Sequence, residues 1–150
     1  MEVQYFIGID GSKESLNWAV CSANKIILEL VSGNDVMGIT KVVLIIRRKL
    51  KIASAIFCME PTGIYDTQLL KYLLRCKALI WLESGSQIKH SMGGVKCKND
   101  VVDAQRIACY AYENRDEIKL YVPTRAIIDQ LDNLLCLCDR LVKVSQICLD

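Results

Sequence analysis

The sequence predicts one α/β domain, in which helices cover a mixed five-stranded sheet, followed by a long carboxy-terminal helix. Three apolar runs, 4–10, 15–21 and 25–31, are joined by short polar turns, a pattern typical of an antiparallel meander. Beyond residue 33, helical and strand-like segments alternate, as they do in α/β units. A chain of 150 residues is long enough for one such domain with its own core.

The alternating segments start with a helix after Gly33-Asn34-Asp35, where apolar residues follow at helical spacing as far as Leu50. A strand over 54–59, a helix over 64–76 and a strand over 78–82 complete the predicted sheet. Trp18 and Trp81 fall inside predicted strands, so we expect them in the core rather than stacked on a base.

The last part of the chain has a different pattern, so we divide it into a domain over 1–122 and the start of a coiled-coil-like helix over 123–150. One row repeats at alternating intervals of three and four: Leu131, Leu134, Cys138, Leu141, Ser145 and Cys148. A second row widens the apolar face: Ile128, Leu135, Val142 and Leu149. Because this face is broader than one small domain needs, we expect a homo-oligomer through the helix 124–149. The alternative is that the helix packs on its own sheet.

Cysteine usage and hydropathy indicate a soluble cytoplasmic protein. The chain has eight cysteines, mostly inside apolar runs and with no signal peptide before them, which favours reduced thiols over disulfides. The cysteine spacing and a single histidine, His90, make a zinc site improbable. No apolar run reaches the ~20 residues that a membrane span requires, so we expect no membrane association.

Four carboxylates stand at positions that favour metal chemistry. Asp10 ends a predicted strand that has too few polar residues to be half-exposed, so we expect this strand to be buried on both faces. Glu60 ends a second apolar strand just before a turn at Pro61. Asp100 and Asp103 are three residues apart on a predicted helix, so their Cβ atoms lie roughly 5–6 Å apart on one face. Magnesium and manganese prefer oxygen ligands, and two such ions about 3.5–4 Å apart can stabilise both oxygens of a phosphoryl displacement.

Each carboxylate also has a structural explanation. Asp10 could bond its own turn, and Glu60 before a proline could be an ordinary surface residue. Asp100 and Asp103 could complement the dipole at the start of a helix. The joint pattern favours the metal site, in which Ser12 and Lys13 would flank the carboxylates.

The formal net charge is only +2, but the cations are clustered. Residues 47–51 end the first helix, where cations also suit the helix dipole. Lys89, His90, Lys96 and Lys98 surround Gly93-Gly94 in a predicted loop just before the acidic helix. We expect Lys89, Lys96 and Lys98, with Arg106 on that helix, to contact a nucleic-acid backbone. The alternative is a plainly solvated loop.

Three sequence segments around the four acids carry a family resemblance: Gly8-Ile-Asp-Gly-Ser-Lys13, Met59-Glu-Pro-Thr-Gly-Ile-Tyr65 and Lys98-Asn-Asp-Val-Val-Asp-Ala104. In this order they closely resemble the amino-terminal domain of the DEDD transposases of the insertion sequence 110 family. The chain departs from the family pattern at Gly11, where valine is usual, at Asn17, where an acid is common, and at Glu83-Ser84, where Asn-Pro is frequent.

The resemblance implies a ribonuclease H-like, RuvC-type fold that binds Mg²⁺ or Mn²⁺ through Asp10, Glu60, Asp100 and Asp103. It also implies DNA and a structured guide RNA as partners, in a bacterial or archaeal cytoplasm. Members of the family work with a separate carboxy-terminal domain bearing a serine nucleophile. We expect catalysis to need that domain, which these 150 residues do not include.

The leading interpretation is therefore a metal-dependent DNA strand-transfer domain, in which Thr62 orients Glu60 by a hydrogen bond. The main alternative is a non-catalytic module that binds nucleic acid and dimerises. A weaker one is a nucleotide-binding ATPase of the actin and sugar-kinase type, because Gly8-Ile-Asp-Gly-Ser resembles their first phosphate loop.

Overall fold

The computed structural model describes residues 3–50, 54–91 and 100–123, and five single positions between 134 and 141. Five strands and four α-helices make up most of the described residues. The strands are β1 (Tyr5–Gly11), β2 (Ser15–Ser22), β3 (Lys25–Gly33), β4 (Ala55–Met59) and β5 (Leu79–Leu82), and the helices are α1 (Val36–Lys49), α2 (Thr67–Arg75), α3 (Gly85–Ser91) and α4 (Asp100–Glu113).

The five strands form one mixed sheet in the order β3-β2-β1-β4-β5. The first three are antiparallel neighbours, which confirms the predicted meander, and β4 and β5 run parallel to β1. Because β3 is antiparallel to β2, it runs in the same direction as β1. The strands β1, β3, β4 and β5 therefore all end at the same edge of the sheet. We call it the carboxyl edge.

Helices cover both faces of this sheet, and each face has its own core. On one face, α1 and α2 bury large aliphatic residues such as Ile39, Ile46 and Leu73 against Trp18 and Phe57. On the other face, α3 and α4 pack on a second cluster. Its largest members are Phe6, Ile56, Trp81, Ile88, Ile107 and Tyr110. Both tryptophans are buried, as predicted.

Helix α4 lies unusually close to β1. A Cβ atom at Gly8 would collide with the backbone of Ala104 and Ala108, so only glycine permits this contact. Further along the pair, the rings of Phe6 and Tyr112 meet edge to face at 5.5 Å between centroids. Because α4 runs from Gly8 back toward Phe6, it is antiparallel to β1, and its first turn lies at the carboxyl edge.

Most predicted elements are confirmed, with two differences in detail. The helix predicted over 64–76 starts as a short 3-10 helix, Gly63–Asp66, before α2 begins. The predicted basic loop is helical in its first part, because Lys89 and His90 lie in α3. The helix predicted over 124–149 and the boundary at residue 123 fall largely outside the described residues and stay predictions. No helix among the residues described is long and apolar enough to cross a membrane.

Candidate active site

Asp10 and Glu60 lie side by side at the carboxyl edge. Ile9 of β1 pairs with Met59 of β4, so Asp10 and Glu60 are the next residues along two neighbouring strands. Neighbouring strands of a sheet lie about 4.7–4.9 Å apart. Asp10 is the penultimate residue of β1, and Glu60 is the first residue after β4. Both are partly buried.

The two carboxylates belong to the α4 face of the sheet. Strand residues alternate between faces, and Gly8 and Cys58 both face α4. Asp10 and Glu60 stand two residues further along the same strands and therefore share that face. Asn17 is paired with Asp10 across β1 and β2 and is buried, with 8% of its surface exposed.

The direction of α4 brings the other two predicted acids to the same place. Its first turn lies at the carboxyl edge, so the backbone positions of Asp100 and Asp103 are there too. The side chain of Asp100 lies outside what the structure describes. Asp103 is partly exposed and accepts a hydrogen bond from Arg106 at 3.0 Å, in an ion pair within one turn of the helix. Arg106, predicted to contact nucleic acid, here holds Asp103.

Glu60 is held against the start of α3. A Cβ atom at Gly85 would collide with the Glu60 carboxylate, so the absence of a side chain there leaves room for the acid. Gly85 itself is buried. After β5 the chain turns at Glu83-Ser84, and Gly85, the first residue of α3, packs against Glu60. This contact holds the Glu60 carboxylate at the carboxyl edge.

A buried acid that the sequence did not reveal, Asp66, supports the turn after Glu60. It is 3% exposed, and it accepts hydrogen bonds from the backbone N–H of Thr62 and from the Thr62 hydroxyl, the latter at 2.7 Å. Thr62 therefore bonds Asp66 rather than Glu60, which differs from the predicted role. The only clue in the sequence was a threonine and an aspartate four residues apart.

Glu83 is a second acid that sequence reasoning missed as part of this region. It follows β5 at the carboxyl edge, where its backbone N–H donates to Met59. Its carboxylate accepts hydrogen bonds from the Ser84 N–H at 2.8 Å and the Tyr110 hydroxyl at 3.3 Å. Burial, and then the neighbouring Glu83 charge, raise the pKa of Tyr110 to about 12, so this phenol stays protonated and donates.

The remaining predicted residues are spread around this edge. Ser12 is exposed and bonds the hydroxyl and carbonyl of Ser15 in the β1–β2 turn, and Lys13 is exposed beside it. Lys89 is exposed on α3. Lys96 and Lys98 lie outside the described residues, so their contacts remain predictions.

The donor set fits a hard divalent cation. Asp10, Glu60, Asp100 and Asp103 supply only carboxylate oxygens, and magnesium and manganese prefer oxygen. Within the part of the chain described, no three Asp, Glu, His or Cys side chains already form a group that could hold a metal ion.

A family model described as a transposase, the DEDD transposase of insertion sequence 110, matches residues 7–145. The chain belongs to this family. The match runs through all three segments that surround the four acids, and DNA transposition is the activity of the family. No curated protein sequence matches the chain significantly.

Solved structures confirm the fold of this DEDD domain. RuvC from T. thermophilus in complex with a Holliday junction substrate matches with a TM-score of 0.58 and 11% identity, covering 79% of this chain and 99% of RuvC. A second Thermus thermophilus RuvC structure matches with a TM-score of 0.55 and 11% identity, covering 77% and 98%. The mixed sheet flanked by helices is thus a RuvC-type, ribonuclease H-like fold, as predicted.

Proposed function

We propose that this domain binds Mg²⁺ or Mn²⁺ through Asp10, Glu60, Asp100 and Asp103 and acts on DNA phosphodiester bonds during transposition. One observation supports this most: α4 packs antiparallel on β1 at Gly8, so its acidic first turn shares an edge and a face with Asp10 and Glu60. Ordinary surface acids would have no reason to gather from two strands and a helix.

Bound divalent ions would polarise the scissile phosphate and stabilise the charges that develop on the attacking and leaving oxygens. The chain's own residues hold the carboxylates in place. Gly85 leaves room for Glu60, and Asp66 fixes the turn that follows it through Thr62. The Tyr110 hydroxyl ties α4 to the end of β5 through Glu83, which helps to set the position of the acidic first turn.

Arg106 gives the site a resting arrangement. Its guanidinium neutralises Asp103 across 3.0 Å. When a cation binds Asp103, the Arg106 guanidinium would bond a phosphate oxygen of the substrate, for which its geometry is well suited. With Lys89, Lys96 and Lys98, it would line the path of the nucleic acid.

Branched DNA is the substrate class that we favour. A RuvC neighbour was solved with a Holliday junction, which supports a branched duplex as the form that this fold can accommodate. A guide RNA and a serine-bearing second domain, both implied by the family resemblance, would complete the reaction in the cytoplasm.

A second candidate function is a non-catalytic module that binds nucleic acid and dimerises. The Arg106–Asp103 ion pair and the absence of a preformed group of three ligands among the described side chains favour it. Self-association would use the helix 124–149, of which Leu134 and Leu141 are exposed by 57% and 60%. A monomer in light scattering at tens of micromolar would refute this part.

Calorimetric titration with MnCl₂, followed by cleavage of branched DNA, tests the metal site. Asp10→Asn and Glu60→Gln should each weaken Mn²⁺ binding by about tenfold or more, since even the loss of a residue that only supports a metal ligand typically costs about 10–100-fold. Asp116→Asn, an exposed acid after α4, is the control and should bind as the unmodified chain does. Equal binding by all four proteins would refute the site, and metal binding without any cleavage would favour the second function.

A further inference from the structure

The two helices on the face opposite α4 carry positive charge alone. Segments 36–50 and 67–78, which span α1 and α2, contain seven basic residues and no acidic residue. The seven are Lys41, Arg47, Arg48, Lys49, Lys71, Arg75 and Lys77. We call them the basic face. The chain has 19 basic and 17 acidic residues, so the rest of it is net negative.

All seven side chains of the basic face are exposed. None of them forms an ion pair with another residue that the structure describes; the one such pair, Arg106–Asp103, lies on the other side of the sheet. Helices α1 and α2 contact each other and pack on one core, so their cations form a single surface rather than two separate ones.

The topology places most of this charge away from the acids. Helix α1 leads from the end of β3 to the start of β4, and α2 leads from the end of β4 to the start of β5. Both therefore run against β1 and finish at the edge opposite the carboxyl edge. A seven-residue strand spans roughly 20 Å, whereas the Debye length at physiological ionic strength is about 8 Å. Most of the basic face is therefore too distant to act on the phosphate at the acidic site.

Helix dipoles explain only part of this pattern. Cations suit the last turn of a helix, which accounts for Arg47, Arg48, Lys49 and Arg75. Lys41 and Lys71 stand in the middle of their helices, and Lys77 lies beyond the end of α2. The helix dipole also does not explain why both helices lack acidic residues. Uncompensated cations on two adjacent helices favour a polyanion with regularly spaced charges.

We propose that the basic face binds the phosphate backbone of duplex DNA at a distance from the phosphodiester held at the carboxyl edge. The choice of DNA rests on the proposed function, because transposition involves DNA that extends well beyond the reacting phosphate. One domain would then contact DNA at two opposite edges: the acids at one edge address a single phosphate, and the basic face holds another stretch of duplex without reading its sequence.

Fluorescence anisotropy with a 30-base-pair duplex of arbitrary sequence, in EDTA and over a series of salt concentrations, tests this surface. Arg48→Gln/Arg75→Gln should bind about tenfold more weakly at 0.1 M salt, and the slope of log K against log salt should fall by about two units. Lys25→Gln/Lys119→Gln removes two exposed lysines outside the basic face and serves as the control, with binding close to that of the unmodified chain.

Unfolding in urea should give the same midpoint for both double variants and the unmodified chain, which separates binding from folding. Because the measurement is made in EDTA, it does not depend on metal binding by the carboxylates, so the metal site and the basic face can fail independently. Equal losses in the two double variants, or an unchanged salt slope, would overturn the proposal. Tighter binding of an RNA duplex of the same sequence, lost on replacing Arg48 and Arg75, would overturn the assignment to DNA.

Discussion

The two faces of the sheet differ in the size of the side chains that pack between sheet and helix. The face under α1 and α2 is filled with large aliphatic side chains, whereas the α4 face has glycine and alanine where helix and strand touch. Large side chains keep helices well away from a sheet, and small ones let the backbones approach. Helix α4 approaches β1 closely at Gly8, so the α4 face depends on a residue that cannot be enlarged without moving the backbone of Ala104 and Ala108. The other face needs only apolar volume, which leaves its outer surface free to carry charge.

The α4 face also buries more groups that can ionise. Burial raises the pKa of Cys58 to about 12 and that of Cys21 to about 11, and it also raises the pKa of Cys109. Cys58 and Cys21 belong to the core under α4, and Cys109 of α4 packs against it. Because these three thiols stay neutral near pH 7, the core under α4 adds no negative charge to that of the acids at the carboxyl edge.

Gly8→Ala should be the most damaging change to the α4 face. The added Cβ would collide with backbone atoms of Ala104 and Ala108, which cannot rotate away as a side chain could. We expect a loss of about 3 kcal/mol in the free energy of unfolding, measured in urea, together with weaker Mn²⁺ binding as α4 shifts.

Gly11→Ala is the matched control on the same strand. Its Cβ would meet a terminal methyl of Leu16 at 3.2 Å, and that side chain can move. We expect a change of less than about 1 kcal/mol in the free energy of unfolding. A Gly8→Ala protein as stable as Gly11→Ala would show that α4 does not need this close contact with β1.

Alkaline pH should destabilise the protein through the same face. The Cys58 thiol has its pKa raised to about 12, first by burial and then by the Glu83 charge, from an ordinary value of 9.0. Below about pH 9 both the folded and the unfolded thiol are protonated, and the stability is unaffected. Above it the unfolded state loses its proton first, so the free energy of unfolding falls by roughly 1 kcal/mol per pH unit for this group.

Urea unfolding at pH 7, 8, 9 and 10, with a reductant present, measures this effect. Cys58→Ala should show a shallower fall above pH 9, whatever its stability at pH 7. A fall as steep as that of the unmodified chain would assign the alkaline sensitivity to other groups.

The sequence predicted most of the sheet because hydrophobic periodicity is a local property. The buried strands around Ile7 and Phe57 and the helical spacing after Asp35 each required only a few neighbouring residues. The positions of Asp10 and Glu60 at strand ends followed for the same reason. The order of all five strands in the sheet was not predicted, because periodicity does not show which distant strands become neighbours.

Contacts between distant segments could not be predicted in this way. Even over four residues, the spacing of Thr62 and Asp66 does not decide whether the Thr62 hydroxyl bonds Asp66 or Glu60, because the outcome depends on how the 3-10 helix folds back. The Glu83–Tyr110 hydrogen bond joins residues that are 27 positions apart. The charge asymmetry between the faces was equally hidden, since it appears only once α1 and α2 are known to share a surface.

Asp66→Ala should lower the free energy of unfolding by less than Gly8→Ala does. It tests whether the turn after Glu60, which Asp66 supports through Thr62, affects metal binding. The change leaves the Thr62 N–H and hydroxyl without their acceptor, which costs about 2 kcal/mol in unfolding free energy. It should also weaken Mn²⁺ binding, because the turn after Glu60 loses its support. Asp35→Ala, which removes the exposed cap at Gly38 N, should cost about 1 kcal/mol and leave Mn²⁺ binding unchanged. Equal Mn²⁺ affinities in the two variants would exclude a positioning role for Asp66.

Lys77→Gly should give the smallest change in stability and separates the basic face from the fold. Lys77 follows α2 with φ of 52°, a left-handed conformation that costs a residue with a side chain more than it costs glycine. Glycine also gains more entropy in the unfolded state, so we expect a net stabilisation of about 1 kcal/mol at most. The same change removes one cation of the basic face, and the salt slope of DNA binding should fall by about one unit.

Ala23, at φ of 47° in the β2–β3 turn, provides the matched control: Ala23→Gly should stabilise by a similar amount and leave DNA binding unaltered. A more stable protein that binds DNA less well would show that this lysine is kept for its charge and not for the fold, whereas unaltered binding in Lys77→Gly would remove it from the basic face.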